Sequence, residues 1–260
     1  MDKLLTGFAD YLKINPYQAL MVMVAIMMVI VLIMWTLWAF RNRFEDPKRF
    51  VTMMLLTVFS LFCVSLLAIR IPINGKIGMH FMIWNLFLAW IPYLISLTLE
   101  RTERKGRIGF LSLMVLGSWL LFFPNGPYMI TDFQYTGNYD HPLLWLNIVT
   151  LISFAWTGLL LGYLSLREVQ VFLERHLSRF WTWSIITLSM VAASYGIFLG
   201  RYQRWDSWNI LTQPINLLTD IIHTITTPRA VGMTLTLSVF LMLGYLSLNL
   251  LSNQKSENRR

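Results

Sequence analysis

Seven apolar runs, each close to the width of a bilayer, constrain this chain more than any other feature: Tyr17–Phe40, Val51–Ile69, Met79–Leu99, Ile108–Phe123, Pro142–Leu166, Phe180–Leu199 and Arg229–Leu250. A helix needs about 20 apolar residues to cross a hydrocarbon core of roughly 30 Å. Only helices and closed barrels satisfy their backbone hydrogen bonds in lipid. Transmembrane strands read as alternating segments of about ten residues, and no such alternation occurs here. The runs therefore predict an all-α, polytopic membrane helix bundle of about seven transmembrane helices, forming a single domain over residues 1–260. Composition agrees, because only 13% of residues are charged and 56% are hydrophobic, whereas soluble domains carry about 25% charged residues.

The net charge of +8 reads as a topology signal and not as a nucleic-acid surface, since the basic residues sit in short loops between runs. With the N-terminus outside and the C-terminus inside, the inner segments hold Arg41, Arg43, Lys48, Arg49, Arg101, Arg104, Lys105, Arg107, Arg167, Arg175, Arg179, Lys255, Arg259 and Arg260. Only Lys3, Lys13, Arg70, Lys76, Arg201, Arg204 and Arg229 fall outside. That two-to-one bias predicts an N-outside, C-inside orientation under the positive-inside rule. An odd number of spans agrees with it. The first run is too long for a signal-peptide core and no small-residue cleavage site follows it. Cys63 is the lone cysteine and cannot close an internal disulfide. It reads as a small buried or lipid-facing residue.

Loops assigned to the inner side are short and basic. Leu166–Arg179 differs, with Val169, Phe172, Leu173 and Leu177 at helical spacing among charged residues. It is expected to be a solvated helix turn with snorkelling arginines; an amphipathic helical extension is the alternative. The segments assigned to the outer side are richer. Phe123-Pro124-Asn125-Gly126-Pro127-Tyr128 predicts an early end to the fourth span, because two prolines and a glycine interrupt a regular helix. A second helical piece from Pro127 would carry Tyr128, Thr131 and Asp132. Irregular backbone at membrane depth is tolerated only inside protein or beside a wet cavity, so broken or re-entrant segments are expected on the outer face. Between Gly200 and Pro228, Pro214 suits the first turn of a short interfacial helix, with Asn216, Asp220 and His223 sharing one face.

Chemistry-bearing residues gather in these outer segments. Arg201 and Arg204 run against the positive-inside trend, and guanidinium forks match phosphate oxygens. Tyr202, Trp205 and Trp208 lie beside them, as befits the headgroup level. An anion site is one reading; a structural pair of an arginine with Asp132, Asp206 or Asp220 is the other. Asp132, beside the break with Asn125 and Tyr128, is the candidate acid/base group, with helix capping or arginine pairing as its plainer role. His80, His141 and His223 map to the outer half, yet their spacing matches no metal signature. No metal or other cofactor is assigned on this basis. All six lysines lie outside the runs, which excludes a retinal Schiff base, and neither a nucleophile elbow nor a phosphate loop is present.

Two long motifs carry a family resemblance. They are Phe122-Phe123-Pro124-Asn125-Gly126-Pro127-Tyr128-Met129-Ile130-Thr131-Asp132 and Gly196-Ile197-Phe198-Leu199-Gly200-Arg201-Tyr202-Gln203-Arg204-Trp205-Asp206-Ser207-Trp208. The chain resembles a bacterial family of integral membrane proteins catalogued as domain of unknown function 1361, from about the second run onward. Gly126 replaces the alanine usual in that family. Asp206 stands where asparagine is usual, and Asn209 where aspartate is usual. The resemblance supports the membrane class and the placing of a site, and implies no activity. The expectation is a protein of the bacterial cytoplasmic membrane with an outward-facing polar site. Asn125, Tyr128, Arg201, Arg204, Trp205, Asp206 and Trp208 would bind an anionic, lipid-linked headgroup, and Asp132 would do acid/base work. Membrane lipids, and a second membrane protein, are the expected partners; nucleic acid is not. The alternatives are a non-enzymatic scaffold or subunit of a transport or envelope-biosynthesis complex, and a small-solute permease, for which no inverted repeat speaks.

Overall fold

A computed structural model describes residues 47–74, 79–102, 107–138 and 144–257. The first predicted run, Tyr17–Phe40, lies outside the described residues, as does His141. The described residues form helices: α1 (Pro47–Asn74), α2 (Phe81–Ser96), α3 (Leu99–Thr102), α4 (Phe110–Phe122), α5 (Asn125–Tyr128), a 3₁₀ segment (Met129–Asn138), α6 (Leu144–Glu174), α7 (Arg179–Phe198), a π turn (Leu199–Gln203), α8 (Asn209–Thr212), α9 (Pro214–Thr224) and α10 (Pro228–Glu257). Among the described residues, five stretches are long and apolar enough to cross a membrane: Arg49–Leu67, Phe110–Tyr135, Leu144–Glu174, Arg179–Gln203 and Pro228–Leu250. Phe81–Ser96 is a shorter apolar helix with Pro92 inside it. The third predicted span is therefore shorter than expected, its end passing into the separate turn α3.

Contacts divide the chain into a unit ending at Phe87 and a unit starting at Leu88. In the second unit, α4, α6, α7 and α10 share one core. Trp119, Phe123, Tyr163, Leu166, Ile186, Met190, Leu241 and Tyr245 are its principal members. Trp119 stacks on Phe123 with ring centroids 4.8 Å apart, and its indole N–H donates to Ser165 Oγ at 3.3 Å. That bond satisfies the polar edge of a ring otherwise wholly buried. Helix α6 is the central element, with 56% of its span buried against 17% for α10. Phe110, Leu113, Phe180, Leu188 and Leu243 are largely exposed at the periphery, a distribution a bilayer accommodates and water does not.

Helix α6 also corrects the reading of Leu166–Arg179 as a solvated turn. The helix runs unbroken to Glu174, and Val169, Phe172 and Leu173 are buried in the shared core. At about 1.5 Å per residue, 31 residues span roughly 46 Å, longer than the hydrocarbon core. The extra turns carry polar rungs to α10. Arg167 donates to Asn249, and the Tyr245 hydroxyl donates to the Gln170 side-chain oxygen. Apolar residues at helical spacing were thus a core stripe, with Glu174 and Arg175 left exposed.

Candidate functional site

The Pro-Asn-Gly-Pro segment is the second correction. Phe123 (φ −54, ψ −38) and Pro124 (φ −56, ψ −28) both hold helical dihedrals. The chain does not leave the helical basin there, and Phe110–Tyr135 remains one apolar helical stretch of 26 residues. Proline removes an N–H donor but its fixed φ is itself helical. Neighbouring amides keep the ladder: Phe123 N–H donates to Trp119 O at 2.8 Å, Gly126 N–H to Phe123 O at 3.3 Å and Tyr128 N–H to Pro124 O at 2.9 Å. The second helical piece starts at Asn125, ahead of the expected Pro127, and then tightens into the 3₁₀ segment.

That tightening positions the site. In a 3₁₀ helix, side chains three residues apart eclipse. Tyr128 and Thr131 form one column, and Asp132 and Tyr135 the next. Arg201 lies across both columns. Its Nε donates to Thr131 Oγ1 at 2.8 Å and its Nη2 to Asp132 Oδ1 at 2.6 Å. Its Nη1 reaches the Tyr135 hydroxyl at 3.4 Å. The guanidinium carbon sits 4.2 Å from the Tyr128 ring centroid and 5.6 Å from that of Tyr135. The side chains of Arg201 and Asp132 are 6% and 0% exposed. This is a desolvated, charge-assisted pair with a second layer of hydrogen bonds and ring contacts.

Two glycine pairs let the segment come so close. A Cβ on Gly158 would stand 2.5 Å from Gly126 O and 2.8 Å from Met129 Sδ, and one on Gly162 3.3 Å from Pro127 Cδ. On α7, a Cβ on Gly196 would meet Pro124 Cγ at 3.1 Å. One on Gly200, at the start of the π turn, would meet the Tyr128 ring at 3.2 Å. Each pair is spaced four residues apart, so each forms a flat strip on one helix face. The strips hold Pro124–Met129 from α6 and from α7. Both stand in the sequence as G-x-x-x-G, Gly158/Gly162 inside an apolar run and Gly196/Gly200 across the end of one.

Further contacts tie the two motifs together. Asn125 Nδ2 donates to Phe122 O at 2.9 Å and to Ser207 Oγ at 3.2 Å, and Ser207 Oγ donates to Leu121 O at 3.1 Å. Trp205 Nε1 donates to Asp220 Oδ2 at 2.8 Å, linking the second motif to α9. The Asp206 backbone N–H donates to Asn209 Oδ1 at 2.6 Å. Burial pushes the Asp206 carboxyl above the ordinary carboxylate range. Arg204 closes the π turn in the left-handed region, at φ 60 and ψ 34.

Of the motif residues, Tyr128, Asp132 and Arg201 thus converge, while Asn125 is bonded to Ser207 and Trp205 to Asp220. Arg204 and Trp208 are exposed in the loop that follows the π turn. His80 belongs to the unit ending at Phe87, and the motif residues to the other. His223 is exposed on α9. Among the described residues, no group of three His, Cys, Asp or Glu side chains comes together to hold a metal ion.

A family model described as a protein of unknown function (DUF1361) matches residues 84–243. The match covers both motifs and begins within the third predicted run, later than the resemblance implied. No curated protein and no solved structure matches the chain.

Proposed function

The chain belongs to the family of proteins of unknown function DUF1361, and we propose that it is a non-enzymatic membrane subunit whose two motifs form an internal lock. In this reading seven helices cross the bacterial cytoplasmic membrane, N-outside and C-inside, with the lock at the outer end. The observation that carries it is the sequestration of Asp132 and Arg201, at 0% and 6% exposure. A general acid must reach its substrate, and a phosphate ligand must offer free donors. Asp132 offers no accessible surface, and four neighbouring side chains surround the Arg201 guanidinium. Such groups favour one backbone arrangement over others. Held in place, the Pro124–Asn138 segment presents a fixed surface for assembly with another membrane protein.

The test compares native-gel migration of the protein extracted mildly from its own membranes. Asp132→Ala and Arg201→Ala should each lose the wild-type assembly. Asp132→Leu/Arg201→Met, which removes both charges and keeps the volume, should retain it. Single variants that keep both fold and assembly would sink the lock. Loss of assembly in a double variant that remains folded would instead point to direct chemistry at the pair.

A further inference from the structure

Helix α9 follows the second motif and leads into α10, and its contacts hold it beside the last turns of α7. The Tyr195 hydroxyl donates to Ile221 O at 3.2 Å and lies 2.9 Å from Thr224 Oγ1. Trp205 Nε1 donates to Asp220 Oδ2 at 2.8 Å. Leu217 and Ile221 pack against the cluster of Phe198, Leu199 and Ala230. These contacts set the depth of α9. The apolar helical stretch Arg179–Gln203 has 25 residues and runs roughly 37 Å. It therefore passes a hydrocarbon core of roughly 30 Å by about 4 Å at each end. Tyr195 comes eight residues before Gln203, roughly 12 Å back along the axis. Long helical side chains lean toward the helix N-terminus, so its hydroxyl meets α9 no higher than that. The end of α9 that carries Ile221 and Thr224 thus lies roughly 8 Å below the edge of the core.

The faces of α9 divide as that depth requires. Leu217, Ile221 and Thr224 share the face turned to α7. One flank of this face carries Ile215, Leu218, Ile222 and, just past the helix, Ile225, at 78%, 58%, 63% and 52% exposure. The opposite flank carries Asn216 and His223, both exposed. A helix lying along a membrane plane meets acyl chains on one flank and headgroups on the other. Both hydroxyls of α9 turn back on the helix itself: Thr219 Oγ1 donates to Ile215 O at 2.9 Å and Thr224 Oγ1 to Asp220 O at 2.6 Å. The turn into α10 also closes on itself. Thr227 N–H and Oγ1 both donate to Thr224 O, at 2.9 and 2.7 Å, and Ala230 N–H donates to Thr227 Oγ1 at 3.4 Å. In lipid, backbone groups must find such partners within the protein.

We propose that α9 lies within one leaflet of the bilayer, along its plane, with the Ile215, Leu218, Ile222 and Ile225 flank bedded on acyl chains and Asn216 and His223 turned toward the headgroups. The occupant of the apolar flank is lipid, because the bonds from Tyr195 and Trp205 hold that flank at acyl depth. Trp205 joins this anchor to the second motif. The placement goes beyond the lock and uses neither Asp132 nor Arg201.

The test is photolabelling of the wild-type chain in phosphatidylcholine vesicles with two diazirine phospholipids, one carrying the group midway along an acyl chain and the other on its headgroup. Trypsin cuts after Arg204 and Arg229, so α8 and α9 leave together in residues 205–229. The mid-chain probe should label Leu218 and Ile222 as it labels Leu188, which is 68% exposed near the middle of α7. The headgroup probe should leave Leu218 and Ile222 unlabelled and mark Gln203, which is exposed at the end of the π turn. Mid-chain adducts on Leu188 with none on α9 would overturn the proposal. Headgroup adducts on Leu218 and Ile222 would then put the flank at the membrane surface, and no adduct from either probe would put a protein over it. Asp132→Leu/Arg201→Met should give the wild-type pattern, which separates failure of this placement from failure of the lock.

Discussion

Removing Asp132 strips Arg201 of the carboxylate that lies 2.6 Å from Nη2. What remains is Thr131 Oγ1 at 2.8 Å, the Tyr135 hydroxyl at 3.4 Å and the Tyr128 ring. None of these carries a countercharge, and with 6% of its side chain exposed the guanidinium cannot turn to water. Breaking a buried pair on one side costs about 3–5 kcal/mol, and Asp132→Ala should fall in that range. Arg201→Ala should cost a similar amount, since it strands a fully buried carboxylate and removes a side chain packed on two rings. Replacing both members by apolar residues of like volume strands nothing and should cost about 0–2 kcal/mol. The single losses together should therefore exceed the loss in Asp132→Leu/Arg201→Met by about 4–10 kcal/mol, the lower part of which lies within the range measured for close charge pairs. Reversible unfolding in mixed micelles with rising dodecyl sulfate, followed by helical ellipticity, reads these differences. Additive losses would refute the argument. So would a cost below about 1 kcal/mol for either single variant, the behaviour of a solvated surface pair.

The glycine strips and the Asp206 loop give two more predictions. Gly158→Ala should cost about 1–3 kcal/mol by overpacking, because its Cβ would stand 2.5 Å from Gly126 O. Gly117→Ala, whose Cβ meets nothing within 4 Å, should gain about 0.5–1 kcal/mol from helix propensity; the same micelle titration reads both, and equal effects would sink the strip. For Asp206, burial raises the folded carboxyl above its ordinary value of 3.8. The fold therefore binds that proton more tightly than the unfolded chain, so this stabilisation is full below the ordinary value and is lost as pH rises through the raised one. Asp206→Asn should remove that decline, flattening stability against pH in the acid range relative to wild type. An unchanged profile would place the titration elsewhere.

What the sequence made legible follows the physics of each signal. Apolar runs report burial in lipid or core directly, and the described spans from Val51–Ile69 onward have helical counterparts. The ends of those helices were less legible. At Leu166–Arg179, charges interleaved with an apolar stripe look alike whether the stripe faces solvent or a neighbouring helix. At Pro124 the proline marks a lost donor, but not whether neighbouring amides keep the helix running. The partner of Arg201 was not legible either. Asp132, Asp206 and Asp220 were equal candidates, and a pairing across 69 residues depends on which helices pack together. The glycine spacing at Gly158/Gly162 and Gly196/Gly200 was the unread clue, since two flat strips identify the faces that meet.

The relation between strips and pair explains why a buried charge is tolerable here. A segment with two prolines lacks two backbone donors even where neighbouring amides keep the ladder, so its position depends more on neighbours. The glycine strips supply close packing without direction, because a flat face permits sliding along the helix axis. The Asp132–Arg201 pair supplies direction, since a guanidinium bonded to adjoining 3₁₀ columns fits only one register. An apolar pair of the same volume would stabilise the contact as well, yet would leave neighbouring registers closer in energy. The exchange of asparagine and aspartate relative to the family pattern bears on the same point. At position 209 the side-chain oxygen accepts the Asp206 N–H at 2.6 Å, and either residue supplies such an oxygen. At position 206 burial disfavours a charge, and the asparagine usual in the family meets no such penalty. With that oxygen in place, Ser207 bonds both Asn125 and Leu121 and ties the loop to the first motif.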